Sequence, residues 1–132
     1  GSGFYSPHLF DHYELFHHEP AAGFATPIVR QPRKGMYTSY SGGYVASGSV
    51  GPVKAPFPHL PAGIQLIKNE GCGEVQTPFK LKKPAMQLGD PVFWRHSKAG
   101  ELCERFDMLL ALRGERVVEQ FATYRGEGKN FS

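Results

Sequence analysis

The chain is predicted to be mainly β: a compact, β-rich, barrel-like domain with one short amino-terminal helix. Three observations predict it. Sixteen glycines and eleven prolines interrupt the 132 residues every few positions, which shortens helices and favours strands joined by turns. Between these breaks lie short runs rich in β-branched and aromatic residues, the types that fit a pleated, half-buried surface. Near the end, Arg113-Gly114-Glu115 joins two apolar runs, the form a hairpin takes. The length suits one domain over residues 1–132, and 40% hydrophobic against 20% charged residues is a composition that builds a core.

The helix is expected to begin at Ser6, a good N-cap, with Pro7 at the first helical position. Leu9, Phe10, Tyr13, Leu15 and Phe16 follow at roughly helical spacing, and Pro20 and Gly23 end the element. Strands are predicted over 24–30, 36–41, 65–68, 74–77, 92–96, 106–112 and 116–123, the last two pairing as the hairpin. Residues 51–63 carry Pro52, Pro56, Pro58 and Pro61, which predicts an extended covering loop or linker rather than a regular element.

Charge and hydropathy exclude several classes. The net charge of +3 is mild, and the basic residues are scattered except for Lys80, Lys82 and Lys83, so no nucleic-acid partner is expected. The longest strongly apolar stretch, 108–112, falls far short of the ~20 residues a membrane helix needs, so no membrane partner is expected either. Cys72 and Cys103 are too few for a disulfide framework, and no amino-terminal signal segment is evident; a reducing, cytoplasmic setting is expected. The opening Gly1-Ser2-Gly3, without an initiator Met, reads as a tag remnant or the cut edge of a longer protein.

The richest collection of reactive groups is the segment 95–104, which holds His96, Lys98, Glu101, Cys103 and Glu104 between strand-like runs. Imidazole and thiolate are preferred zinc ligands, and a strand-turn-strand folds His96 and Cys103 toward one point; against this, the spacing matches no zinc-finger pair and two ligands do not close a site. A core cysteine and a surface histidine are the competing reading. A phosphate loop ending at Lys129 fails, because the required first glycine is Thr123. Tyr44, after Gly42-Gly43, reads better as a buried ring than as an acid or base. His8 and His12 share a helical face without an evident third ligand, and Cys72 has no neighbouring base to activate it.

Longer stretches carry a resemblance. Gly-Ser-Gly-Phe-Tyr at 1–5, Leu-Phe-Asp-His-Tyr at 9–13, Gly-Gly-Tyr-Val-Ala-Ser-Gly at 42–48, Gly-Glu-Val-Gln-Thr-Pro at 73–78 and Gly-Asp-Pro-Val-Phe at 89–93 occur in this order. Arg-His-Ser-Lys-Ala-Gly-Glu-Leu-Cys-Glu-Arg-Phe at 95–106 and Thr-Tyr-Arg-Gly-Glu-Gly at 123–128 complete the series. Together they resemble the carboxy-terminal part of putative amino-acid aldolases, deaminases or racemases related to D-threonine aldolase and D-serine dehydratase, of alanine-racemase-like architecture.

The resemblance implies a larger protein, in which an amino-terminal (β/α)₈ barrel binds pyridoxal phosphate on a lysine and a β domain covers the active site and contributes to a homodimer. It implies an amino-acid substrate and a divalent metal such as zinc or manganese, held by a His and a nearby Cys or Asp of the β domain. His96 is then the first metal ligand, with Cys103 its first candidate partner and Glu101 the second. The spacing departs from the family pattern: six residues separate His96 from Cys103 where the family has one. Gly3 and Tyr5, where such chains leave the barrel, are implied to border the cofactor. The Schiff-base lysine belongs to the barrel, so Lys98 and Lys129 are not assigned that role. The rival expectation is a free-standing, non-catalytic β-module that binds a protein partner.

Overall fold

In residues 24–28 burial alternates, with Phe24, Thr26 and Ile28 inside and Ala25 and Pro27 outside, as a pleated strand with one interior face requires. The computed structural model describes residues 2–49, 51–98 and 100–129. Gly1 and Ala99, which belong to the motifs above, lie outside the described residues. A six-stranded antiparallel sheet dominates, built from β1 (Phe24–Arg33), β2 (Met36–Tyr40), β3 (Phe57–Leu60), β4 (Gln65–Leu66), β5 (Gln76–Lys80) and β6 (Pro91–Arg95). Its spatial order is β3-β6-β1-β2-β5-β4.

That order forces curvature. The edge strands β3 and β4 are consecutive in the chain, and five Cα steps from Leu60 to Gln65 reach at most about 18 Å. A flat sheet would hold its edges roughly 24 Å apart across five strand spacings. The sheet therefore curls until its edges approach, and the fold is mainly β and nearly closed into a barrel. Inside lie Phe24, Ile28, Tyr37, Phe79, Leu81, Val92 and Trp94, with Met86 and Leu102. The indole of Trp94 donates to Thr26 Oγ1 at 2.8 Å, which satisfies two polar groups that burial would otherwise strand.

The remaining strands, β7 (Met108–Arg113) and β8 (Arg116–Ala122), form the expected hairpin, with Arg113 opposite Arg116. Gly114 takes φ 59°, the positive value its turn position demands. All of β8 is exposed. The register puts Met108, Leu110, Leu112, Val117 and Ala122 on one face, which is open to solvent and apolar apart from Gln120.

The amino terminus differs from expectation. An α-helical turn, α1 (Ser2–Tyr5), precedes Ser6, and a separate 3₁₀ turn spans His8–His12. Ser6 has φ 47° and its hydroxyl donates to the His18 carbonyl at 3.1 Å, so it breaks the helix instead of capping one. Beyond the 3₁₀ turn the chain is irregular, and Phe10, Tyr13, Phe16 and His18 pack on one another: the aromatic spacing that resembled a helical face serves a local cluster.

Two further elements depart from the sequence reading. The proline-rich stretch contains β3, whose pairing with β6 needs few donors from its own backbone. The segment after His96 is a helix, α2 (Gly100–Arg105), rather than a turn between strands. Glu101 promotes it by accepting the Lys98 N–H at 2.7 Å, the back-bonding half of a capping box.

Candidate functional site

The carboxy-terminal end of β6 is where four segments meet. Arg95 is buried at the end of the strand, and a guanidinium out of water requires a partner. Asp11 of the 3₁₀ turn supplies it with a two-pronged bridge, Nη1 to Oδ2 at 2.6 Å and Nη2 to Oδ1 at 2.9 Å, while Nη2 also donates to the Ser6 carbonyl at 2.9 Å. His8 N–H donates to the His96 carbonyl at 3.1 Å. Ser97 Oγ donates to the Val53 carbonyl at 2.6 Å, and Lys98 Nζ to the Ser47 carbonyl at 3.0 Å. The end of β6 thus pins the amino-terminal segment and the proline-rich stretch against the barrel.

His96 is the chemically distinctive residue in this junction. It is 1% exposed, and among the described residues neither ring nitrogen has a hydrogen-bond partner. The Ala22 carbonyl faces the ring without completing a hydrogen bond. Burial lowers the His96 pKa to about 4, with Ala22 opposing the shift and the Arg95 and His8 charges adding to it. The imidazole is therefore neutral at pH 7 with a lone pair free. Each buried polar group left unmade costs about 1–3 kcal/mol, a cost that coordination or a donor from outside would remove.

The residues proposed as its partners sit on α2. The Glu101 carboxylate is buried and occupied in capping the helix. Cys103 is a free thiol whose pKa burial raises, so a metal there would have to displace a firmly held proton. Its charged form acts on Tyr124, whereas the charges felt by His96 come from Arg95 and His8. No group of three or more His, Cys, Asp or Glu side chains suited to a metal occurs among the described residues. His96 fits a metal as a single nitrogen donor, and further ligands would come from Cys103, substrate, water or another part of the protein.

Gly3 and Tyr5 lie on α1, which runs into the same junction through Ser6. Tyr5 is partly exposed, its carbonyl accepts from Ala21 N–H at 3.4 Å, and a Cβ on Gly3 would meet nothing within 4 Å. Both are open to a group arriving from outside, and neither forms an enclosed cradle. Between the 3₁₀ turn and β3, a cleft of about 380 Å³ is lined by His8, Asp11, His12 and Phe57. His8 Nε2 lies 2.9 Å from the Ala55 carbonyl, which can only accept, so Nε2 carries the ring proton. Burial lowers the His8 pKa, and the Ala55 bond partly offsets it.

Other candidates resolve as structural. Tyr44 packs its ring against Phe24 and Phe106 under Arg105, and its hydroxyl oxygen accepts from Ser41 Oγ at 3.1 Å. Cys72 has its pKa pushed up to about 11 by burial, which makes it an inert thiol. Lys129 pairs with Glu127 at 2.9 Å.

Two features escaped the sequence. The Arg95–Asp11 bridge joins residues 84 apart, with no local signal for it. Lys54 stands beside Lys98, which lowers the Lys54 pKa, and two ammonium groups side by side welcome an anion. No protein-family model, curated protein or solved structure matches the chain.

Proposed function

We propose that this chain is the carboxy-terminal β domain of a pyridoxal-phosphate enzyme acting on amino acids, closing the active site of an amino-terminal barrel and contributing to a homodimer. The observation that carries this reading is His96, a buried neutral imidazole without a hydrogen-bond partner among the described residues, beside the segment that holds Gly3 and Tyr5. The motifs running along the chain support it as a resemblance.

The cofactor supplies an electron sink for aldol cleavage, dehydration or proton transfer at an amino acid, and a divalent metal supplies a Lewis acid for a substrate oxygen. This chain's part is to offer His96, with Cys103, to the metal, to place Gly3 and Tyr5 beside the cofactor, and to present the Lys54 and Lys98 ammonium groups to an anion such as a carboxylate. The reducing cytoplasm suits its two free thiols. The test is the metal content and metal-dependent turnover of the full-length protein carrying His96→Ala or Cys103→Ala. Full occupancy and full turnover in both variants would refute the ligand assignment.

A second reading, a non-catalytic β-module that binds a protein partner, is favoured by one observation, the apolar and solvent-exposed face of the β7–β8 hairpin. The upstream reading frame separates the two: a barrel with a pyridoxal lysine supports the enzyme, and its absence supports the module.

A further inference from the structure

At the opposite end of the barrel, an open cleft of about 710 Å³ gathers Arg33, Lys34, Lys80, Lys82 and Lys83 around Met36 and Leu81. The sequence shows three of these lysines as a short run; the fold adds Arg33, the last residue of β1, and Lys34 from the β1–β2 turn. Strand register builds the site. Arg33 pairs with Met36, Met36 with Lys80, and Lys80 with Gln65, so these four side chains form one row across the sheet on one face. The neighbouring row, Tyr37 and Phe79, turns into the core, which fixes the first row outward. Arg33 and Lys80 are two strands apart, about 10 Å, with an apolar methionine between them.

This gathering of charge has no internal counterweight. No acidic residue lines the cleft among the described residues, and the ion pairs there involve Arg95, Arg125 and Lys129 instead. The chain carries a net charge of +3 and five positive charges sit at this cleft, so the rest of the chain carries a net charge of −2. Five like charges held together repel one another, and a polyanion relieves that repulsion.

We propose that this cleft binds a compact ligand bearing several phosphate groups, of the size of a triphosphate. Its volume falls within the range of small-molecule sites, ~300–1,000 Å³. Arg33 offers a planar fork for two phosphate oxygens, and the lysines act as point charges on the others. No aromatic ring lines the cleft among the described residues, so it lacks the stacking platform with which proteins hold single-stranded nucleic acid. The site is independent of the function proposed above. It lies at the far end of β1 from the residue paired with Trp94, roughly 30 Å along the strand from the His96 junction.

The experiment is calorimetric titration of the purified protein with inorganic tripolyphosphate at several salt concentrations. Saturable one-to-one binding that weakens with salt is expected. Lys80→Ala, Lys82→Ala and Lys83→Ala combined should weaken it at least about tenfold, and Arg33→Gln alone should weaken it several-fold. The charge-matched set Arg113→Ala, Arg116→Ala and Arg125→Ala, away from the cleft, should leave it within about twofold. All these side chains are exposed, and Trp94 fluorescence checks that each variant is folded. Absence of saturable binding, or equal losses in the two charge-matched sets, would overturn the proposal. So would tighter binding of single-stranded DNA or of phosphoinositide-containing vesicles than of tripolyphosphate, since either would make the surface one for a macromolecule or a membrane.

Discussion

Replacing Asp11 with alanine strips the buried Arg95 guanidinium of two charge-assisted hydrogen bonds. Nη2 keeps the Ser6 carbonyl, but Nε already lacks a partner among the described residues, so most of the charge is left uncompensated. Breaking a fully buried pair costs ~3–5 kcal/mol and an exposed one ~0–1. Asp11 is 45% exposed while Arg95 is 8% exposed, so the expected loss is intermediate, about 2 kcal/mol. Urea unfolding followed by the fluorescence of Trp94, the chain's one tryptophan, measures it directly from the strand that ends in Arg95. The internal control is Asp107→Ala, which breaks the exposed bridge to Arg125 and should cost no more than about 0.5 kcal/mol. Because Arg95 also fixes the amino-terminal segment, Asp11→Ala should open residues 6–20 to limited proteolysis before the barrel unfolds. If Asp11→Ala proves no more destabilising than Asp107→Ala, the β6 junction is not held by this pair.

Other expectations test other links. Thr26→Val leaves the Trp94 indole N–H buried and unpaired, so a loss of about 1–3 kcal/mol is expected in the same urea assay. Gly43→Ala should cost 2 kcal/mol or more, on the order of other overpacking changes, because its Cβ would lie 2.5 Å from the Gly73 backbone; Gly100→Ala, with open space in a helix, should be neutral or stabilise by up to about 1 kcal/mol. With its pKa pushed up to about 11 from the usual 9, Cys72 has roughly 100-fold less thiolate at pH 8 than an unperturbed thiol. Its alkylation by iodoacetamide in the folded protein should be slow by about that factor and accelerate roughly tenfold per pH unit up to pH 11, as time-resolved mass analysis would record. Leu112→Lys should change the stability of this chain by less than about 0.5 kcal/mol, since the side chain is already exposed, yet weaken self-association of the full-length protein in sedimentation if the hairpin makes the dimer contact.

Much of the barrel was legible because its strands alternate or run apolar between glycine and proline breaks; β1, β2, β6 and the hairpin fall close to their predicted places. The misreadings share a cause, which is that local pattern was asked to report tertiary facts. Leu9, Phe10, Tyr13 and Phe16 have helical spacing, but Ser6 in the left-handed region and the pull of Arg95 on Asp11 fix that segment as a 3₁₀ turn and irregular chain. β3 hid among prolines because an edge strand needs only half its backbone groups for pairing. Of the site, His96 stood out by residue type, whereas its burial without a partner, the Arg95–Asp11 bridge and the five-cation cleft arise from strand order and register.

The near closure of the main sheet also bears on how molecules of this protein avoid one another. Exposed strand edges are templates for intermolecular pairing and fibre growth, and natural proteins blunt them with short strands and prolines. Here the two edges are β3, only four residues long and carrying Pro58, and β4, only two residues long, and the link between them bends each toward the other. Neither offers enough consecutive free N–H and carbonyl groups to recruit a strand from a neighbour. The longest free edges among the described residues belong to the β7–β8 hairpin, which carries Arg113, Glu115, Arg116 and Glu119 around its turn. Those charges guard its tip against indiscriminate stacking while its apolar face stays exposed, so the architecture disfavours open-ended, edge-to-edge assembly.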